Sequence, residues 1–190
     1  VSIDPNNKPI YDPEYWSNRL AHAERRKEQH RSIYECTLPE WRAIEQNHKG
    51  ILDRLMLPHE SVLDAGCGYG RLLSLMPRMW SGDYVGIDLS PDFIKLAMEH
   101  HPDRNFICAP METALPALEK DIRLYVGAVA DSKTQPKFDW CVMISIRQMI
   151  IANVGTEAWD EIVTLLRPVA RRLLVLEYDR NDVGLIESLE

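Results

Sequence analysis

The sequence predicts an α/β domain: a doubly wound, mainly parallel sheet with helices on both faces, preceded by an N-terminal helical cap. Three observations predict it. From residue 61 onward, continuous apolar runs alternate with helix-like segments, the pattern of parallel strands covered on both faces. Three of the nine glycines crowd into five positions of SVLDAGCGYGR, residues 61–71, where a strand gives way to a helix. An acid, Asp88, then closes the next strand-like run, YVGID.

Residues 1–36 read as an extension or cap and residues 37–190 as the domain. The first thirteen residues carry Pro5, Pro9 and Pro13, which favour extended chain. EYWSNRLAHAERRKEQHRSIYE follows as a helix. Tyr15, Trp16, Leu20, Ile33 and Tyr34 lie toward its ends, and the stretch from Glu24 to Ser32 is wholly polar, so its middle is either solvated or a mobile lid. TLPEWRAIEQNHKGILDRLML is a clearer helix. Thr37 and Glu40 form a capping box, Pro39 suits an early position, and Trp41, Ile44, Ile51, Leu52 and Leu55 share a face. SVLDAG is a strand, RLLSLMPRMW a helix with a late proline, and YVGIDL a strand. Ser90 and Pro91 cap the helix DFIKLAMEHH. NFICAP and WCVMISI are strands, EAWDEIVTLLRPVA a helix and RLLVLEY the last strand. Between Leu118 and Lys137 the pattern is ambiguous, with IRLYVGAVA readable as an extra strand and DSKTQPK as an exposed loop.

The net charge of −7 argues against nucleic acid as the main partner. No apolar run approaches the ~20 residues of a membrane span, and VSIDPNN has no signal-peptide character. The four cysteines, Cys36, Cys67, Cys108 and Cys141, include no C-x-x-C pair and the histidines no metal-binding spacing, so no metal site is expected. Reduced thiols fit a cytoplasmic location.

Ligands of a doubly wound sheet bind at the carboxyl ends of its strands, and the first strand-to-helix turn is the key position. Glycines there let the backbone turn tightly and let a ligand approach. Asp88 lies 20 residues after Gly68, where a carboxylate can accept from both hydroxyls of an adenosine ribose. Dinucleotide enzymes use G-x-G-x-x-G, whose third glycine would fall on Arg71. The spacing present is D-x-G-x-G-x-G from Asp64.

With VLDAGCGYGR followed by YVGIDLSPDFI, the region from about Glu40 to Asp179 resembles the class I S-adenosylmethionine-dependent methyltransferases, whose domain is Rossmann-like. The resemblance implies S-adenosyl-L-methionine as cofactor. It implies that Asp64, Gly66, Cys67 and Gly68 line the methionine portion, that Asp88 holds the ribose and that Leu89 covers the adenine. CAPMET matches the adenine-binding stretch, with Met111 on the ring, Glu112 nearby and Pro110 where the family usually has an acid. FDWCVMISIRQMI matches the fourth strand, so Ser145, Ile146, Arg147 and Gln148 should face the methyl group and the substrate. The signature of enzymes that methylate base amino groups of DNA is absent after this strand.

Transfer from a sulfonium is an in-line displacement, and a base is needed only if the acceptor must lose a proton. Arg147, Glu177 and Tyr178 are the catalytic candidates. Tyr15, Trp16, Arg147 and Gln148 are candidates for substrate binding, with Tyr11 and Tyr34 completing an aromatic cap. The expected activity is methylation of a small molecule or an exposed protein side chain. The alternatives are a catalytically silent binding subunit of the same fold and another S-adenosylmethionine-dependent transferase, such as an aminopropyl transferase. After Asp179 only RNDVGLIESLE remains, too little for the sixth helix and antiparallel strand pair that end the family sheet. An unprotected sheet edge there would favour a homodimer or coverage by the N-terminal segment.

Overall fold

A computed structural model describes residues 12–26, 36–124 and 137–190. Six strands form one sheet in the order β3-β2-β1-β4-β5-β6. They are β1 (Val62–Ala65), β2 (Tyr84–Asp88), β3 (Asn105–Cys108), β4 (Phe138–Ile144), β5 (Ala170–Leu176) and β6 (Leu185–Ser188). The first five are parallel and β6 is antiparallel to β5. The chain winds outward from β1 in both directions, so the switch point lies between β1 and β4.

The helices are α1 (Pro13–Arg26), α2 (Leu38–Leu55), α3 (Arg71–Leu75), α4 (Pro91–His100), α5 (Met111–Asp121), α6 (Arg147–Asn153) and α7 (Thr156–Leu166). Strand residues alternate between two cores. Leu63, Val85, Met143 and Val175 pack against Leu115 and Leu118 of α5, Ile150 of α6 and Ile162 and Leu166 of α7. Val62, Tyr84, Val142 and Leu174 pack on the other face with Ile51 and Leu52 of α2 and Leu72 and Leu75 of α3. At the amino ends of the strands, Glu60 accepts hydrogen bonds from Arg172 and from the indole N–H of Trp140. The Arg172 guanidinium also stacks 4.0 Å from the Trp140 ring. This cluster ties β4 and β5 to the entry of β1, at the end of the sheet opposite the glycine turn.

Several elements depart from the sequence expectations. The helix expected over RLLSLMPRMW ends at Leu75, because Pro77 has no N–H and restricts Met76, which is extended. Met111–Asp121 and Arg147–Asn153 are helices that the apolar pattern did not announce; the first contains Pro116 and the second has only 7 residues. Ile122–Leu124, the start of the segment readable as an extra strand, is a 3-10 turn, and residues 125–136 lie outside the described residues.

The last eleven residues do supply a strand. Glu177 N–H donates to Asp182 Oδ2 at 2.6 Å and Gly184 N–H to Asp182 Oδ1 at 2.9 Å. This one carboxylate reverses the chain, and Gly184, at φ +73°, completes the return. Leu185–Ser188 then pair with Arg172–Val175. β5 is therefore an interior strand, and the edge on that side belongs to β6.

Thr37 caps α2 as the sequence proposes. Its hydroxyl oxygen accepts from Glu40 N–H, and Glu40 Oε2 accepts from Thr37 N–H at 2.8 Å. The box is exposed, so truncating it disturbs no core contact. Thr37→Ala is expected to lower stability by about 1 kcal/mol and the melting temperature by roughly 2–4 °C, read by calorimetry.

Candidate functional site

The turn after β1 is pinned to β2, because the N–H groups of Gly66 and Cys67 both donate to the Ile87 carbonyl, at 2.8 and 2.9 Å. Gly66 has φ +82°, and a Cβ on it would lie 2.5 Å from Cδ1 of Ile146 and 3.7 Å from Cε of Met111. The end of β1, the exit of β4 and the first residue of α5 therefore meet at one bare backbone.

Asp88 ends β2 beside this turn. One carboxylate oxygen accepts from Gly68 N–H and the other from Ser90 N–H, each at 2.9 Å. Burial pushes its pKa above the ordinary value, and these amides pull the other way. Leu89 and Met111 are half-buried nearby, and Glu112 is exposed in the first turn of α5.

Asp64 lies beneath the turn, 2% exposed, and accepts a 2.7 Å hydrogen bond from the Tyr84 hydroxyl. Burial raises its pKa to about 7; the Tyr84 bond opposes this and the Asp88 charge adds to it. Cys67 points its sulfur inward at Gly86, and burial pushes its thiol pKa up. What Cys67 offers a ligand is its backbone.

The second half of the site forms where β4 and β5 end. Ser145 is the one non-glycine with positive φ, +61°, among the described residues. Its N–H donates to the Leu176 carbonyl at 2.7 Å. Left-handed backbone at such a residue costs on the order of 1–3 kcal/mol and clusters at functional sites. Here it swings Ile146 over Gly66 and starts α6 at Arg147. The Arg147 guanidinium packs 5.6 Å from the Trp159 ring centroid, and its Nε is buried with no hydrogen-bond partner. Gln148 is exposed.

Because Ile144 is in register with Leu176, Glu177 leaves β5 beside Ser145. Among the described residues neither of its buried carboxylate oxygens has a donor in full hydrogen-bond geometry, although the Gln148 N–H lies close enough to act on the carboxyl. Burial raises its pKa to about 7, while the Gln148 N–H and the Arg147 charge pull it down and the Asp182 charge adds to the rise. The main chain of Glu177 is held on both sides. Its N–H donates to Asp182, and its carbonyl accepts from His48 Nε2 at 2.8 Å. His48 is 0% exposed, and burial and the Arg71 charge lower its pKa to about 4, so it is neutral. The Arg71 guanidinium stacks 4.2 Å from the Trp41 ring.

Of the sequence-derived candidates, the turn, Asp88, Met111, Ser145, Ile146, Arg147 and Glu177 thus gather along the carboxyl ends of β2, β1, β4 and β5. Tyr178 instead leans toward α2, against Cys36 and Trp41. Trp16 packs on Phe93 of α4 at 6.2 Å, with Tyr15 edge-on to it at 5.1 Å. Phe93 in turn meets Tyr69 of the turn at 6.3 Å, so α1 reaches the site through α4. Tyr11 and Tyr34 lie outside the described residues, as does most of the polar middle of the expected lid. Tyr84, His48 and Asp182 were not among the sequence candidates. His48 alone carried a signal, since it shares the buried face of α2 with Ile44, Ile51 and Leu52.

The chain is 30% identical over 122 residues to the ribosomal protein L11 methyltransferase of Cupriavidus taiwanensis, covering 62% of this chain and 40% of that protein. It is 35% identical over 74 residues to the trans-aconitate 2-methyltransferase of Afipia carboxidovorans, covering 38% of this chain and 28% of that one. It thus spans 40% or less of the length of either curated relative. A TehB-like SAM-dependent methyltransferase from Corynebacterium glutamicum shares the fold, with a TM-score of 0.50 at 18% identity over 86% of this chain and 73% of that one. No helix among the described residues is long and apolar enough to cross a membrane. Residues 62–169, more than half of the sequence and the whole run from β1 to the end of α7, match the methyltransferase domain family; the chain belongs to the class I S-adenosylmethionine-dependent methyltransferases.

Proposed function

We propose that this chain transfers a methyl group from S-adenosylmethionine to an acceptor held at the ends of β4 and β5. The observation that carries the reading is the contact of Ile146 with bare Gly66, which puts the acceptor side of the sheet directly against the turn. The bound cofactor supplies an electrophilic methyl group on a positively charged sulfur. Gly66, Cys67 and Gly68 offer backbone to its methionine end, with Asp64 supporting the turn from below. Asp88 is suited to the ribose hydroxyls, since its half-buried carboxylate ends β2 beside the turn, held there by the Gly68 and Ser90 amides. Leu89 and Met111 offer apolar flanks for the adenine, with Glu112 at its rim and Ser145 at the methionine side.

Glu177 acts as the base. A buried carboxylate with no donor in full hydrogen-bond geometry among the described residues is suited to take a proton from an acceptor, and a pKa near 7 keeps it usefully basic at neutral pH. Arg147 and Gln148 flank it, and Trp16 and Tyr15 cap the opening from α1. The names of the relatives span a protein and a small acid as acceptors, so either a small molecule or an exposed protein side chain fits at this level. Free thiols at all four cysteines support a reducing, cytoplasmic setting.

Asp88→Ala should weaken S-adenosylhomocysteine binding by roughly 1.5–3 kcal/mol, the worth of hydrogen bonds to a charged group. Calorimetry finding undiminished affinity would remove the ribose assignment, and tight NAD binding without S-adenosylmethionine binding would remove the reading as a whole. For Glu177, side-chain NMR titration should give a midpoint near 7. The base is needed deprotonated, so turnover should climb with pH up to that midpoint and level off above it. Glu177→Gln should abolish this limb and slow turnover by about 10²–10⁴-fold. A midpoint at the ordinary glutamate value would contradict the assignment.

A further inference from the structure

The acceptor end of the site holds two buried polar groups with opposite needs. Among the described residues, neither oxygen of Glu177 has a donor in full hydrogen-bond geometry, with the Gln148 N–H acting only from nearby, and Nε of Arg147 lacks an acceptor. The guanidinium is close enough to lower the pKa of the carboxyl, yet the two do not bond to each other. Protein interiors leave few such groups, and each calls for an explanation. Neither residue is loosely held. Asp182 and His48 fix the main chain of Glu177, and Arg147 follows directly on the left-handed Ser145 and packs on Trp159. Their orphan atoms are consequences of a fixed backbone and remain for a ligand to satisfy.

We infer that the acceptor carries an ammonium group close to an anionic oxygen group, a carboxylate or a phosphate, so that its N–H donates to Glu177 and its anion accepts from Arg147 Nε–H. The inference rests on the methyltransferase reading and narrows it to small amines. A protein amine with no anion beside it leaves Arg147 unsatisfied. An aliphatic hydroxyl satisfies Glu177 as a donor but does not give up its proton to a carboxylate near neutral pH. An ammonium, with a pKa on the order of 10, is a far stronger acid than an aliphatic hydroxyl, and methyl transfer draws its deprotonation forward.

The step balances. The ammonium passes one proton to the Glu177 carboxylate, leaving a neutral amine and a carboxylic acid. The nitrogen lone pair forms the N–C bond as the C–S bond breaks, and that bond's electron pair stays on sulfur. The products are the N-methylammonium compound and the neutral thioether S-adenosylhomocysteine.

The test uses calorimetry on the full chain saturated with S-adenosylhomocysteine, so binding is read without turnover. The probes are the twenty common L-amino acids and O-phosphoethanolamine. Each probe's control lacks the anion: the decarboxylated amine for an amino acid, and ethanolamine for O-phosphoethanolamine. At least one anion-bearing amine should bind, with its control about tenfold or more weaker. Binding confined to amino acids identifies a carboxylate, and binding confined to O-phosphoethanolamine a phosphate. Arg147→Gln should erase the preference over the control, and Glu177→Gln should weaken the amine about tenfold. Both should leave S-adenosylhomocysteine affinity unchanged, which shows that the fold and cofactor cradle persist. With S-adenosylmethionine supplied instead, mass spectrometry should find the same compound carrying one more methyl on nitrogen. Equal binding of probe and control, or no probe binding to a chain that holds S-adenosylhomocysteine, overturns the inference while leaving the methyltransferase reading intact. Failure to bind S-adenosylhomocysteine at all removes that reading, and this one with it.

Discussion

The missing side chain at Gly66 leaves room for Ile146, just beyond β4, to pack on the turn that follows β1. Ile146 fills the space a Cβ would take, at 2.5 Å, and the φ of +82° would strain any side chain placed there. Three further features depend on this contact. The turn stays flat enough for its N–H groups to reach Ile87 and for Gly68 to reach Asp88. Ser145 takes a left-handed conformation so that Ile146 can arrive there. Arg147 then begins α6 next to the end of β5, which brings it within electrostatic reach of Glu177.

Beneath the site lies a layer of buried polar groups whose titrations oppose one another. Asp64 and Glu177 have folded pKa values raised to about 7, so the folded state holds their protons more tightly than the unfolded chain. The stability they confer is complete below the ordinary carboxylate pKa and is lost as pH rises through 7. His48 works in the other direction. Its folded pKa is lowered to about 4, so stability is lost as pH falls from its ordinary value of 6.5 toward 4. Between pH 4.5 and 6.5 the contributions run against each other.

The two flanks of the site are built differently. On the cofactor side, aromatic contacts run from Trp16 through Phe93 to Tyr69, joining α1 to the glycine turn. On the side of β5, the chain reverses through Asp182 and returns as β6, so the carboxylate that makes the turn also fixes Glu177. Asn47 of α2 donates to the Asp182 carbonyl at 2.6 Å and secures that return from the neighbouring helix. The end of β5 is therefore held by α2 as well as by the sheet.

The sequence by itself determined the features that depend on near neighbours in the chain. The parallel strands follow from continuous apolar runs, the caps of α2 and α4 from Thr37 with Glu40 and Ser90 with Pro91, and the place of Asp88 at the end of β2 from its spacing to the turn. Tertiary structure alone decided what each polar side chain meets. His48 and Glu177 are 129 residues apart, and Asn47 and Asp182 are 135 apart. No local pattern says that Tyr84 will bond Asp64, that Cys67 will turn inward, or that the Glu177 oxygens and Arg147 Nε will be buried without a partner in full hydrogen-bond geometry among the described residues. The same holds for β6, four residues that become a strand only because β5 offers an open edge. Propensity and period act over one or two turns of chain, whereas burial and hydrogen-bond satisfaction are set by which strands lie side by side.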